Sequence, residues 1–279
     1  MSMSHTTRKT ALVTGASSGM GKVIAQQLLD DGLSVVVAAR RTERMQDLVT
    51  SGAVAVELDV SNEESLIAAV DYIEKTLGNV DTLVNNAGFG LYGAVEDIPL
   101  DEARYQFEVN LFGLARLTQL LLPAMREQRS GRIVNISSMG GRMYTPLGAW
   151  YHASKHALEG FSDCLRLELA PFGIDVIIVE PGIIQTAFGD VVSGPMERFS
   201  GSGAYSTMAA RVAEGTAKAY GKRGGASSPQ LIANVVSKAV TARRPRTRYV
   251  AGKYASLMIF IRKWFGDRIF DRIVLSMVK

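Results

Sequence analysis

Tyr151 and Lys155 stand four residues apart in a stretch whose apolar spacing predicts a helix over 149–170. Residues at i and i+4 share a helix face, so both side chains aim at one site. A free tyrosine ionises near ~10, too high to exchange a proton readily at neutral pH. A neighbouring ammonium favours the phenolate and brings that value toward the working range. The pair is therefore equipped to give a proton to an oxygen or to take one back. Ser138 closes the strand-like run that begins at Arg132, where its hydroxyl can donate to that same oxygen and orient it. Ser137 beside it points to the opposite face by the alternation of a strand. Asn110 falls in mid-helix, where asparagine has poor propensity.

A second group of residues suits a nucleotide. Thr14-Gly-Ala-Ser-Ser-Gly-Met-Gly sets Gly15, Gly19 and Gly21, with Ser17, Ser18 and Met20 between them, after one apolar run and before a helical one. Glycine permits the tight turn and lets backbone approach a pyrophosphate, which the helix N-terminus then favours. The spacing is G-x-x-x-G-x-G rather than the commoner G-x-G-x-x-G. The next apolar run ends Ala38-Ala39-Arg40-Arg41, and no Asp or Glu occurs between Ser34 and Thr42. An acidic residue here would bind the ribose 2′-hydroxyl of NAD, whereas an arginine suits the 2′-phosphate of NADP. Arg40, with Arg41, favours NADP(H) over the alternative of two solvated arginines.

The elements that must position these groups alternate along the chain. Strands are predicted at 10–14, 34–39, 53–58, 80–85, 132–137, 174–180 and 247–251. Helices are predicted at 20–31, 101–128 and 149–170, with one more opened by a capping box at Ser61 and Glu64. Continuously apolar strands alternating with helices indicate a parallel sheet covered on both faces. The fold class is α/β, a single doubly wound Rossmann-type domain over 1–279, with its catalytic body at 8–251. Two segments break the rhythm. Residues 186–228, rich in Gly, Ser and Ala and without a strong period, read as a substrate lid, or else as a merely decorative loop. Residues 252–279 read as an amphipathic helical tail: Ile269, Phe270, Ile273, Val274, Met277 and Val278 recur at helical spacing beside Arg268, Asp271 and Arg272. Packing on the domain or on another subunit is favoured for this tail over contact with a membrane surface.

The chain of 279 residues is 47% hydrophobic, enough for one large core. Its one cysteine, Cys164, excludes an intrachain disulfide, suits a reducing compartment and is expected to be packed. The polar start and the absence of an apolar run of about 18 residues point to a cytoplasmic protein. The net charge of +4 is uneven, because residues 243–279 hold ten Arg or Lys against two Asp. That tail lacks a nucleic-acid module. His5, His152 and His156 have no cysteine or carboxylate cluster at metal spacing, so no metal site is expected.

Taken together, the motifs over about residues 8–250 resemble the classical short-chain dehydrogenase/reductase family. The turn at 14–21 is similar to its TGxxxGxG and Asn85-Asn86-Ala87-Gly88 to its NNAG. Asn110 is similar to its helix asparagine, Tyr151-His-Ala-Ser-Lys155 to its YxxxK, and Pro181-Gly182 followed by Thr186 to its PGxxxT. Ser138 precedes the tyrosine at the family's spacing. The resemblance implies that Asp59 and Val60 meet the adenine, that Asn86, Ala87 and Gly88 line its ribose side, and that Ile184 and Thr186 hold the nicotinamide carboxamide. It implies that Tyr151 and Lys155 flank the nicotinamide ribose, with Asn110 holding a water that links Lys155 to solvent. Some NADP-preferring relatives carry a basic residue within the turn, where this chain has Ser17 and Ser18. The implied activity is NADP(H)-dependent interconversion of a ketone or aldehyde and an alcohol, with a homodimer or homotetramer as the assembly. The stretch 159–168 looks like the branch acting on steroids, retinoids and other apolar alcohols. A non-catalytic NADP-binding protein on the same fold, or an NAD-dependent alcohol dehydrogenase, is the alternative.

Overall fold

In the computed structural model, which describes residues 8–221 and 224–276, the apolar runs become β1 (Thr10–Thr14), β2 (Ser34–Ala39), β3 (Val54–Glu57), β4 (Thr82–Asn85), β5 (Gly131–Ile136), β6 (Ile174–Pro181) and β7 (Arg248–Ala251). They form one sheet in the order β3-β2-β1-β4-β5-β6-β7, each neighbouring pair parallel. Alternation along the strands fills two cores. Ala11, Val13, Val35 and Val37 face α1 (Gly19–Asp30), α2 (Gln46–Thr50) and α9 (Pro229–Thr241). Leu12, Val36 and Ala38 face α3 (Glu63–Leu77), α5 (Gly113–Glu127) and α6 (Ala149–Leu169). Both faces are thus covered, as the unbroken apolar strands require.

The long helix expected at 101–128 is α4 (Leu100–Phe107) continuing into α5 through a wider π turn at Glu108–Phe112, which contains Asn110. Behind it a buried polar chain crosses the core. Asn85 Nδ2 donates to Asn135 Oδ1 at 2.9 Å, and Asn135 Nδ2 donates to Ser162 Oγ at 2.9 Å. These bonds fix β4 and β5 against α6, since a buried amide left unpaired is costly.

Several expectations are corrected. Asn62, not Ser61, caps α3, its side chain accepting from the Ser65 amide, while the Ser61 hydroxyl donates to Asp59. Residues 186–228 hold α7 (Phe188–Ser200) and α8 (Ser206–Tyr220), two helices packed on one another, where the sequence lacked a period. Small residues weaken the amphipathic signal, and burial of Val192, Met196 and Ala209 supplies the stability instead. Cys164 is exposed rather than packed, because it faces out from α6. The tail is α10 (Ala255–Ser276), broken at Gly266 (φ 73°, ψ 175°) into two arms. Of its predicted apolar stripe Phe270 and Val274 are buried and Ile269 is exposed; Met277 and Val278 lie outside the described residues, as does His5.

Candidate active site

Strand order reverses between β1 and β4, and at their carboxyl ends lies a cleft of about 440 Å³. This is where doubly wound sheets bind ligands. The glycine turn forms part of its wall: Gly15 (φ 66°) and Gly19 (φ 57°) take left-handed backbone that other residues resist. A Cβ on Gly21 would lie 2.3 Å from Asn86 Nδ2 and 2.5 Å from the Gly15 oxygen. Asn86 Nδ2 donates to the Thr14 oxygen at 2.9 Å, and Thr14 Oγ1 accepts from the Asn86 and Ala87 amides. The turn after β1 is therefore locked to the exit of β4.

Gly15, Ser17, Ser18, Gly19 and Met20 line the cleft with Asn86, Ala87 and Gly88; Arg40, Arg41, Asp59 and Val60 line its β2–β3 side, and Thr186 its β6 side. Arg40 and Arg41 are exposed and make no ion pair among the described residues; Arg40 Nη1 donates to the Tyr105 hydroxyl at 3.2 Å. Asp59 Oδ1 is occupied by the amide and hydroxyl of Ser61. Pro181, Gly182 and Ile184 stand behind the surface. Ile184 is in the core, and a Cβ on Gly182 would lie 2.2 Å from the Lys253 oxygen. Phe89, Tyr105, Val109, Phe188 and Val191 also line the cleft. No motif marks them, although Phe89 follows Gly88 and Val109 precedes Asn110.

Gly88 separates this cleft from the proton-bearing side chains. A Cβ there would lie 3.7 Å from Lys155 Nζ and 3.1 Å from Asn110 Oδ1. Lys155 is buried, and Nζ donates to the Ile136 oxygen at 2.9 Å. Burial lowers its pKa to about 8, against the pull of Glu159 one turn on. The Tyr151 phenol is pushed up to about 12 by burial, and a hydrogen bond with Ser138 opposes that rise. The depression of the phenol by Lys155 expected from spacing is therefore absent: the ammonium is engaged by the Ile136 carbonyl, and burial dominates. Ser138 Oγ also accepts from the Gly140 amide at 3.0 Å, which starts the turn that follows it. Ser137 is buried on the other side, its hydroxyl without a partner.

The Asn110 carboxamide spans two elements. Oδ1 accepts from the Phe89 amide at 3.1 Å, while Nδ2 donates to the Phe89 oxygen at 2.9 Å and to Ser154 Oγ at 3.1 Å. These bonds give the side chain a positioning role between the segment after β4 and the helix of Tyr151. His152, dismissed above as a metal ligand, has a positioning role too. Its Nε2 accepts from the Thr145 amide at 3.1 Å, so Nδ1 carries the hydrogen and donates to the Gly140 oxygen at 2.9 Å. Burial lowers its pKa to about 4, which keeps the ring neutral. The signal in sequence was its place beside Tyr151.

Aromatic rings enclose Tyr151. Tyr92 and Phe188 lie 5.6 Å and 5.7 Å from it between centroids, and Phe188 lies 6.2 Å from Tyr220. Burial raises the Tyr92 and Tyr220 phenols well above their ordinary value, so both remain neutral. Among the described residues no helix is long and apolar enough to cross a membrane, and no group of three metal-ligating side chains occurs.

Comparison with known proteins agrees with this architecture. Residues 9–194 match the model of the short chain dehydrogenase family. The oxidoreductase BOA17 of Botryotinia fuckeliana is 36% identical over 244 residues, 86% of this chain and 87% of that protein. A short-chain dehydrogenase from Streptomyces avermitilis superposes with a TM-score of 0.79 at 37% identity, covering 95% of this chain and 98% of that one. A single-residue variant of the actinorhodin polyketide ketoreductase, solved with NADPH, gives 0.70 at 35% identity over 82% and 89% of the two chains. With a glycine turn locked to the exit of β4, and a buried tyrosine and lysine beyond it, the chain belongs to the short-chain dehydrogenase/reductase family and is an oxidoreductase of that family.

Proposed function

We propose that the protein interconverts an apolar ketone or aldehyde and its alcohol, using NADP(H). The observation that carries this reading is a buried phenol, Tyr151, on the same helix as a buried Lys155 that lies just behind Gly88 of a cleft of about 440 Å³, whose far side carries two exposed arginines in no ion pair among the described residues. The cleft fits the cofactor: the left-handed turn at Gly15 and Gly19 brings backbone and the Ser17 and Ser18 side chains to its wall, and Arg40 offers a planar donor for a 2′-phosphate. Bound there, the nicotinamide supplies or accepts the hydride.

The chain supplies position and the proton. A phenol pushed up to about 12 is protonated at neutral pH, the form that donates to a carbonyl oxygen in reduction. Ser138 orients that oxygen. Lys155, charged below about pH 8, is the positive group that a phenolate needs after the proton has left. Tyr92, Phe188 and Tyr220 exclude water and favour an apolar substrate, while α7 and α8 serve as its lid. Assembly through α6 and the helix that runs from the π turn into α5 suits their exposed Leu167 (70%) and Phe112 (56%). The lone cysteine fits a reducing, cytoplasmic setting.

The test is NADPH consumption with aliphatic, aromatic and steroidal ketones. Tyr151→Phe is expected to abolish turnover while leaving NADPH bound; turnover surviving in that variant overturns the mechanism. Arg40→Ala is expected to weaken NADPH by about 10- to 100-fold, the loss of a charge-assisted hydrogen bond, and to leave NADH unchanged. Tighter binding of NADH than of NADPH by the wild type overturns the cofactor assignment.

A further inference from the structure

The carboxyl-terminal hairpin presents a face that nothing in the described chain covers. Leu257, Phe260 and Trp264 recur at i, i+3 and i+7 on the first arm of α10, whereas Ala255 and Met258 on the other side are buried. Gly266 breaks the helix just after Phe265, and the second arm carries Phe270 and Val274 back onto Met143. The break leaves an aromatic tip. Phe260, Trp264 and Phe265 are 53%, 65% and 51% exposed, with the Phe260 ring 6.4 Å and 6.1 Å from the other two.

The tip is framed by uncompensated cations. Asp267 pairs with Arg262 at 2.7 Å, and Asp271 accepts from the Tyr144 hydroxyl at 2.9 Å, so both acids of the hairpin are engaged. Lys263, with Nζ 5.1 Å from the centre of the Trp264 ring, Arg268 and Arg272 make no ion pair among the described residues. Exposed Trp and Phe bordered by Lys and Arg is the composition that lies in the headgroup layer of a bilayer. A second copy meeting this face about a two-fold axis would bring like cations together, which disfavours association. Anionic headgroups supply the opposite charge.

We propose that the α10 hairpin docks on an anionic lipid surface, its aromatic tip entering the headgroup–acyl boundary and Lys263, Arg268 and Arg272 meeting lipid phosphates. The contact is peripheral, and it makes no use of the nucleotide cleft, so it stands or falls apart from the proposed activity. Among the described residues no helix is long and apolar enough to span.

Flotation of the full chain with vesicles tests this. The wild type is expected to float with phosphatidylglycerol–phosphatidylcholine vesicles at low salt, and to be released in about 0.5 M salt or from phosphatidylcholine alone. F260S/W264S/F265S and, separately, K263E/R268E/R272E are each expected to lower partitioning by about tenfold or more, without shifting the thermal unfolding midpoint, because all six positions are exposed. A wild type that stays in solution with anionic vesicles overturns the proposal. So does a triple serine variant that floats equally well. If that variant instead dissociates a wild-type oligomer, measured by light scattering, and the wild type does not float, the face is a self-interface and the proposal fails.

Discussion

His152 and Glu180 are buried titratable side chains whose preferred states pull stability in opposite directions as pH changes. The ordinary pKa of histidine is near ~6.5, and the fold lowers that of His152 to about 4, because burial in contact with Gly140 and Thr145 favours the neutral ring. As pH falls from about 6.5 toward 4, the unfolded chain takes up a proton that the folded one refuses, so stability drops by as much as about 3 kcal/mol. Burial, with Glu159 alongside, pushes the Glu180 carboxyl up despite Arg142 and Arg248. Between its ordinary value and its raised one, the folded state binds the extra proton, and stability gains as pH falls. The two slopes offset each other in mildly acidic solution. His152→Gln is therefore expected to remove the loss, giving a protein whose stability, relative to wild type, improves from pH 7 to pH 5 in urea unfolding. A wild type and a variant with parallel pH curves would show that His152 is not held neutral. None of this was legible in the sequence. Lone histidines and glutamates acquire shifted states only through what is packed around them, and the spacing of Tyr151 and Lys155 likewise gave no sign that Ile136 takes up the ammonium.

The π turn at Glu108–Phe112 is where an element acquires its use. One residue more than an α-turn aims Asn110 at Phe89 and Ser154, while the next turn brings Gly113 against the chain after β3. A Cβ on Gly113 would lie 2.0 Å from the Val60 oxygen, so any side chain there forces helix and loop apart. Gly113→Ala is expected to cost about 1–3 kcal/mol, the usual penalty of overpacking. Because Val60 lines the cleft, it is also expected to weaken NADPH binding; equilibrium unfolding and a fluorescence titration measure the two effects. Sequence spacing revealed a helix here and singled out Asn110 by its poor propensity. It could not reveal the π turn, because a single inserted residue leaves the apolar pattern on both sides intact. Gly266 was missed for a related reason. Single glycines also occur inside helices, and only the left-handed φ it adopts separates a break from a tolerated guest.

Across the molecule, the sheet was legible because its strands are largely apolar runs, and the glycine turn, the Asn85–Gly88 motif and Pro181-Gly182 close three of them. The tail was legible as a helix by its own spacing, though not its break, whereas the lid helices were not legible, because their order comes from contacts with other segments rather than from their own periodicity. Ser200 on α7 illustrates this, donating to Asp97 Oδ2 at 2.7 Å and accepting from the Ala94 amide at 2.8 Å. Phe112 and Leu167 lie on the helices proposed to meet between subunits, and their double replacement by serine is expected to shift the mass measured by light scattering toward the monomer, with the fold retained. An unchanged mass would place the interface elsewhere. The packing around Tyr151 also bears on how this oxidoreductase would change its preferences. Cβ atoms added at Gly140, Gly141 and Gly148 would fall within 2.9 Å of His152, Ser137 or Glu159, so the segment after β5 has no room to vary. The facing wall is built from Tyr92, Phe188, Tyr220 and the two lid helices; its rings already pack on Gly148, Gly90 and Gly189, so smaller side chains are accommodated there more readily than larger ones. Adaptation to a new substrate, whether by natural drift or in a laboratory library, is therefore channelled into trimming side chains within residues 89–95 and 188–220, leaving the surroundings of Ser138, Tyr151 and Lys155 untouched.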